Sequence, residues 1–448
     1  MEKIFLGIDI GGTKLACALV TPGGRVLSRA RAPLGRKPGA AKILDTLAEL
    51  LPGLCRESGV PKKRLSGAGA GIPGILDRDR QRVLASPNLD IGGYAFAPAL
   101  RKKLGIPVAL ENDVNVGLLG EQWMGSARNA ANVIGLFPGT GIGGAIMIHG
   151  ELYTGANGAA SEIGHMLQRP GGRRCGCGNR GCLESVAGRL AVEREIKNAL
   201  KQGKKSAIRQ YLKNSKTVLK SGMLKKALAK NDRLVSNILR ETARELGKAC
   251  VSLRHVLDPE MILFGGGLVE ACGDFLLPRI QKEIESDPFF SMLPPLRLAT
   301  ASLEDDAAVL GGAALIQKHL GLELRRVPDS PSVDLPGKET LAVDGEARTS
   351  DCVIRADGTV RERNLKKAVK ATGSIDRIGP GELAKILKGN PDVFFLGTGF
   401  RKKIGLTRAA LAYLREREVE WKRLDTPGAA RAYNRCDRRK AAFFRVTG

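Results

Sequence analysis

One device occurs twice in this 448-residue chain, and it limits the folds available more than any other feature. Lys3 to Ile10 (KIFLGIDI) is a short apolar, β-branched run that reads as a strand. Gly11-Gly12 turns the chain, Lys14 to Val20 returns as a second strand, and Val26 to Arg31 follows as a third. The device recurs at Val133 to Phe137, where Pro-Gly-Thr-Gly leads back into Gly143 to His149. A strand, a glycine-threonine turn and a returning strand, repeated, imply two related lobes rather than one sheet. Helical periodicity marks Ala41 to Leu54, Leu234 to Leu257 and Ala307 to Leu320. The buried strand Glu260 to Phe264 runs into Gly265-Gly266-Gly267.

After the last of these helices the segment RRVPDSPSVDLPGK, rich in proline, serine and charge, reads as a linker. A separate α/β unit then restarts, with strands expected near Cys352–Ile354 and Val393–Leu396 and helices near Gly381–Lys388 and Leu406–Arg417. With 43% hydrophobic and 26% charged residues, dominant disorder is excluded. Aromatics at 4% are too few for an extended base-stacking platform. No apolar run reaches the roughly 18 residues of a membrane-spanning helix, and the first residues lack a secretory pattern, so a cytoplasmic protein without membrane partners is expected. The net charge of +26 is localised: 15 Lys/Arg face 3 Asp/Glu between Arg189 and Arg240, and 27 face 17 from Leu322 onward. Such blocks are usually solvated helix faces; with no nucleic-acid reading motif they suggest weak polyanion contact at most, along the basic stretch Lys197–Lys230.

Four motifs carry chemistry. Asp9-Ile10-Gly11-Gly12-Thr13-Lys14 sets a carboxylate at a strand end before a turn whose N–H groups, hydroxyl and lysine suit phosphates. Gly139-Thr140-Gly141-Ile142-Gly143-Gly144 repeats that chemistry. This segment and Gly69 to Gly74 both match G-x-G-x-x-G, yet the first leads into an apolar strand and the second contains Pro73, so neither is a dinucleotide fingerprint. Glu111-Asn112-Asp113-Val114-Asn115 crowds four polar side chains at a strand end, either as a helix N-cap cluster or as a base with hydroxyl-binding neighbours. His165, Cys175, Cys177 and Cys182, interspersed with glycines, have the spacing of a tetrahedral structural zinc site, with Glu162 and Glu184 beside it. Nine cysteines, three of them within eight residues, favour metal over disulfides in a reducing compartment.

In this order and spacing, these residues resemble the ROK family (repressors, open reading frames and sugar kinases), specifically its bacterial glucokinase-like members, over about Met1 to Gly321. The resemblance implies an α/β, actin-like (ribonuclease H-type) fold. Its two lobes would be about residues 1–112 plus 301–322 and about 113–300, followed by a linker at 323–337 and a small α/β domain at 338–448. It makes Asp113 the catalytic base. Asp9, Gly11, Gly12, Thr13 and Lys14 would form one ATP-phosphate loop, Thr140 and Gly141 the other, and Gly265 and Gly266 would contact adenosine. Asn88, Asn112, Asp113, Glu162, His165 and Glu184 would bind the sugar, with His165 also serving zinc. ATP, Mg²⁺ and a structural Zn²⁺ are implied, as is a homodimer or tetramer. The implied reaction is phosphorylation of a hexose 6-hydroxyl, glucose first, with another hexose or N-acetylhexosamine, or a non-catalytic sugar sensor, as alternatives. Polyphosphate is a further donor to test.

Two departures stand out: Asn88-Leu89 continues as Asp-Ile-Gly-Gly-Tyr94 where the family often has Pro-Gly-Trp, and Gly143-Gly144 is followed by Ala145 where a third glycine is usual. Family repressors carry an N-terminal helix-turn-helix ahead of the first strand, so the opening at that strand points away from a repressor. The C-terminal unit, through Asp392 to Gly399 and Thr426 to Asn434, resembles a small α/β family related to a mitochondrial complex I assembly factor, which has no settled activity. No catalytic role is expected of it; Gly397-Thr398-Gly399 is either an anion-binding turn or a structural one.

Overall fold

The computed structural model describes residues 3–128, 130–212 and 217–324, together with 331–446 apart from 332, 338, 339, 344, 357, 389, 390, 401–403 and 437–439. The chain divides into two compact units, Met1–Arg325 and Arg326–Gly448.

In the first unit the chain runs β1 (Ile4–Ile10), β2 (Lys14–Val20), β3 (Val26–Pro33), α1 (Ala40–Ser58), β4 (Leu65–Ile72), the hairpin β5 (Ile75–Leu76) and β6 (Val83–Ala85), α2 (Phe96–Leu104) and β7 (Val108–Asn112). Then come α3 (Asp113–Met124), β8 (Val133–Pro138), β9 (Ile142–Ile148), β10 (Glu151–Leu152), α4 (Leu183–Ala187), α5 (Arg189–Lys201), α6 (Ser221–Leu228) and α7 (Arg233–Leu257). The unit ends with β11 (Met261–Phe264), α8 (Gly267–Glu285), β12 (Arg297–Thr300) and α9 (Ala307–His319).

Among the described residues, one sheet has the order β3-β2-β1-β4-β7 and a second the order β10-β9-β8-β11-β12. In both, the first three strands in sequence form an antiparallel meander and two later strands add in parallel on the other side. The repeated turn thus belongs to a repeated sheet, because an antiparallel pair needs only a tight turn whereas each parallel strand needs a helical crossover.

Each lobe has its own apolar core, one gathering β1, β2 and α1 and the other α7, α8 and β11. A third core, with Phe5, Leu118, Trp123, Met147, Leu263 and Val309, joins the two sheets through α3 and α9. Helix α9 lies against the first sheet at backbone distance: a Cβ on Gly69 would sit 1.9 Å from the Gly312 carbonyl oxygen. On its other side, a Cβ on Gly311 would sit 1.8 Å from the Val116 carbonyl oxygen of α3. Glycine at these positions is required by the approach of three backbones. Helix α3 therefore packs chiefly on α9 and touches β4 of the first sheet and β9 of the second alike, so residues 113–124 lie between the lobes rather than within the second.

The basic stretch is not one helix. It is divided among the end of α5, a 3₁₀ turn at Ala207–Tyr211 and α6, and residues 213–216 lie outside the described residues. Lys226 and Lys230 stand over the Tyr211 ring, at 5.9 and 5.8 Å.

The second unit contains β13 (Val333–Gly337), β14 (Thr340–Val343), β15 (Glu346–Arg348), β16 (Cys352–Ile354), β17 (Val360–Glu362), α10 (Leu365–Thr372), β18 (Arg377–Ile378) and α11 (Pro380–Ile386). These are followed by β19 (Val393–Gly397), β20 (Gly405–Leu406), α12 (Arg408–Glu416), β21 (Glu420–Leu424), α13 (Thr426–Arg435) and β22 (Lys440–Phe444). A five-stranded sheet of order β17-β16-β22-β19-β21 is covered on its two faces by separate apolar clusters. The linker expected at 323–337 is corrected at its end. Residues 333–337 form β13, which pairs with β14, and Asn434 exchanges hydrogen bonds with the Val333 backbone, at 3.0 and 2.7 Å. Pro336 disguised this strand, but an edge strand tolerates proline. Residues 325–330 and 332 of that segment lie outside the described residues. The donors of the Gly397-Thr398-Gly399 turn are already used: Thr398 N–H and Oγ1 both donate to the Leu424 carbonyl, and Gly399 N–H donates to Thr426 Oγ1. That is the structural form of the turn. Among the described residues no helix is long and apolar enough to cross a membrane.

Candidate active site

The first turn closes when Gly11 N–H donates to the Lys14 carbonyl at 2.9 Å. It packs against the Asn88 loop so tightly that a Cβ on Gly12 would lie 2.9 Å from Asn88 Cβ. The Thr13 carbonyl accepts from Leu34 N–H, and the Thr13 side chain is exposed. Lys14 Nζ reaches Asp305, 3.1 Å away, and the same carboxylate takes Arg31 at 2.8 Å. Asp305 thus holds the lysine of the first turn, from 291 residues away.

The second turn is built from other parts. Gly139 N–H closes it onto the Gly141 carbonyl, and the carbonyls of Gly139 and Thr140 are covered by the N–H groups of Arg189 and Leu190 opening α5. The Arg189 guanidinium donates to Thr140 Oγ1 at 3.0 Å. Glu184 of α4 accepts from Ile142 N–H at 2.9 Å, and its carboxylate fills the space where a Cβ on Gly141 would come within 2.0 Å.

Asp113 is the first residue of α3, placed by the β7-to-α3 junction. Asn112 caps that helix, its Oδ1 accepting from Val114 N–H at 2.8 Å and Asn115 N–H at 3.3 Å, while its Nδ2 donates to the Gly74 carbonyl. The polar cluster is therefore an N-cap followed directly by an aspartate. Burial, the Asp9 carboxylate and then Glu162 push the Asp113 carboxyl up from 3.8 to about 6, against the Val114 N–H bond that lowers it. Asp9 is itself raised, mainly by burial, with Lys14 opposing. A carboxyl near 6 ionises at neutral pH and accepts a proton readily, as a general base must.

A cavity of about 760 Å³ is lined by Asp9, Asp113, Gly265, Gly266, Glu304 and Asp305, among others. Gly266, with φ +80°, lies under the Pro138 carbonyl, where a Cβ would come within 2.9 Å, and it caps α8. A side chain at Gly265 would run into the Phe137 ring at 2.6 Å. Thr140, Gly141, Asn88, Glu162, His165 and Glu184 lie outside this lining. Three of them form a chain toward it: Glu162 acts on Asp113 by charge and faces His165 Nε2 at 3.9 Å, and His165 Nδ1 faces Cys175 Sγ at 3.7 Å, next to Glu184. Cys175 Sγ lies 3.6 Å from Glu184 Oε1.

The ligand atoms of His165, Cys175, Cys177 and Cys182 all lie within 4.8 Å of one another. Cys177 Sγ and Cys182 Sγ are 3.7 Å apart. Two sulfurs of a tetrahedral Zn–S site with 2.3 Å bonds stand about 3.8 Å apart, so the cluster fits zinc. His165 turns one ring nitrogen to the cluster and the other to Glu162, as a residue shared between metal and substrate would.

Sequence reasoning missed three residues. Besides Asp305 and Arg189, Glu121 of α3 is fully buried and accepts from Ser126, Ser302 and Leu303 N–H, each at 2.8 Å. It thereby fixes the segment that carries Glu304 and Asp305. The helical spacing of Glu121 offered a weak signal; Asp305 and Arg189 offered none, because their partners are remote in sequence.

Residues 5–319 match the ROK family, and residues 333–444 match a family described as a protein of unknown function (DUF498/DUF598). A glucokinase of Thermotoga maritima is 31% identical over 323 residues, covering 72% of this chain and 100% of that protein. A xylose repressor of Caldicellulosiruptor bescii is 29% identical over 311 residues, covering 69% and 77%. The crystal structure of a ROK glucokinase from Streptomyces griseus, in complex with glucose and AMPPNP, superposes with a TM-score of 0.60 at 29% identity, covering 70% of this chain and 98% of that one. That likeness carries the actin-like sugar kinase fold to Met1–Arg325. The duplicated sheets, the aspartate between two glycine turns and these matches agree: this chain belongs to the ROK family.

Proposed function

We propose that the chain is an ATP-dependent kinase that phosphorylates the 6-hydroxyl of a hexose, glucose foremost. The observation carrying this is Asp113, a carboxyl raised to about 6 by burial, Asp9 and Glu162 at the wall of a cavity of about 760 Å³. In the proposed reaction Asp113 takes the proton of the sugar hydroxyl as its oxygen bonds to the γ-phosphorus, and ADP leaves. The turns Gly11–Lys14 and Gly139–Gly141 hold the phosphates, while Gly265 and Gly266 leave room for adenosine. Asn88, Asn112, Glu162, His165 and Glu184 orient the sugar. Asp9, at the cavity wall, offers a hard oxygen donor that suits Mg²⁺, which supplies charge neutralisation when bound with ATP. His165, Cys175, Cys177 and Cys182 hold a structural zinc that fixes Glu162 and Glu184. The similarity to glucokinases supports a sugar kinase; the choice of glucose rests on those relatives.

The test is ADP release by the purified protein with Mg-ATP and glucose, mannose, fructose, N-acetylglucosamine or N-acetylmannosamine, beside Asp113→Asn. Sugar-dependent turnover lost in the variant is expected, and the sugar giving the highest kcat/KM names the substrate. Silence with every sugar, with zinc present at stoichiometry, would overturn the kinase in favour of a sugar sensor.

A further inference from the structure

The turn between β5 and β6 is constructed around one arginine. Asp77 Oδ1 accepts from the N–H groups of Gln81 and Arg82, and Arg80 N–H and Nη1 both donate to the Asp77 carbonyl, each at 3.0 Å. Arg80 is held at φ +56°, a left-handed conformation unusual for a side-chain-bearing residue. This backbone directs its guanidinium inward, where Nε donates to Glu111 Oε2 at 2.8 Å, with side-chain exposures of 18% and 7%. The other oxygen of Glu111 accepts from Asn112 N–H at 2.8 Å and Asn115 Nδ2 at 3.0 Å. Glu111 thus grips both asparagines that flank Asp113. The same guanidinium reaches the opposite lobe: a Cβ on Gly158 would fall 2.3 Å from Arg80 Nη1. Gly158 belongs to the loop closed by Ala160 N–H on the Thr154 carbonyl, which leads into Glu162.

From this geometry we propose that Arg80 is a positioning residue: through Glu111 it orients Asp113, and against Gly158 it registers the sugar-side loop of the second lobe to the base. The inference rests on the reading of Asp113 as the base of a sugar kinase. It requires no contact of Arg80 with substrate. The carboxylates facing Asp113 are Asp9 and Glu162, and Glu304 and Asp305 line the same cavity. Removing the guanidinium would leave the Glu111 charge without its counterion two residues from the base. A like charge so near favours the protonated form of Asp113.

The experiment compares wild type, Arg80→Met, Arg80→Lys and Arg80→Met/Glu111→Gln by steady-state kinetics from pH 5 to 9 with Mg-ATP and the sugar panel, together with thermal melts. For Arg80→Met we expect kcat to fall about 10- to 100-fold, the sugar KM to rise, and the acid limb of kcat/KM to move to higher pH. Arg80→Lys should recover part of kcat, and the double variant should return the limb toward the wild-type position. A lower melting temperature with kcat within twofold and an unmoved limb in both single variants would overturn the role of Arg80. If Arg80→Met does not fold, Arg80→Lys and the double variant decide. Wild type silent with every sugar overturns the kinase reading and this role together; active wild type with indifferent Arg80 variants overturns this role alone.

Discussion

The two glycine turns occupy the same place in two sheets of the same order, yet they are equipped differently. The first carries its own charges: Asp9 precedes it, Lys14 ends it, and remote Asp305 steadies the lysine. The second, Gly139–Gly141, has no charged residue, so a carboxylate and a guanidinium reach it from α4 and the start of α5, as Glu184 and Arg189. Glu184 is in turn tied to the Cys/His cluster through Cys175. The charges of the first turn therefore lie within six consecutive residues, steadied by Asp305, while the second borrows both of its charged partners from a folded neighbour and, on our reading, depends on its metal. Duplication supplied the backbone, and each lobe completed its copy by a different route.

The largest expected effect is at Asp113, which shares a cavity with Asp9 at the head of the first turn. Asp113→Asn should lower kcat by about 10²- to 10⁴-fold, measured by coupled ADP release; a variant retaining near-wild-type turnover would remove the base from the comparison. The same substitution should stabilise the protein at pH 7 and above. The folded carboxyl is raised from 3.8 to about 6, so the native state holds its proton more tightly than the unfolded chain, and the ionised group opposes folding above that range. Melts should show Asp113→Asn ahead by up to about 3 kcal/mol at pH 8, the advantage fading as pH falls through 6 toward 4. In kcat/KM the wild-type acid limb should lie near 6.

The metal discriminates the turns next. Stripping zinc, or making Cys177→Ser, should lower the melting temperature and weaken turnover by at least about 10-fold through Glu184, with metal content read by atomic absorption. Full activity without metal would separate the second turn from the cluster. A smaller asymmetry is expected from matched glycine substitutions. Gly141→Ala drives a Cβ to 2.0 Å from Glu184 Oε2 and should cost about 10-fold in kcat/KM, about 1.4 kcal/mol, whereas Gly11→Ala meets only the Lys14 carbonyl at 3.1 Å and should cost a few-fold. Equal losses would break the claim that the second turn is the more dependent. The smallest effect is the Lys14–Asp305 pair, about half exposed on both sides. A double-mutant cycle with Lys14→Met and Asp305→Asn should give a coupling of at most about 1 kcal/mol in stability, while the KM for ATP rises in either single variant.

Much of the site was legible because its chemistry is local. A tight turn announces itself as glycine and threonine, and the spacing of His165, Cys175, Cys177 and Cys182 announced the cluster that the structure assembles. Asn112 and Asp113 were legible as a pair but ambiguous in role, since a capping asparagine and a hydroxyl-binding one have the same side chain. Glu121, Arg189, Asp305 and Arg80 were not singled out, because each acts on a partner set by the crossing of helices or the docking of a hairpin. The end of the expected linker was misread at β13, where a proline concealed an edge strand.

By itself the sequence determined the two strand–turn–strand units, the three helices α1, α7 and α9, the Cys/His spacing and the family, all properties that periodicity and short-range chemistry encode. Only the tertiary structure decided that Lys14 is held by Asp305, that Glu184 completes the second turn, and that Asp113 is raised. Those outcomes depend on burial and on charges brought together by the packing of α3 on α9 and of α4 and α5 on the second turn, pairings that a linear reading has no means to make.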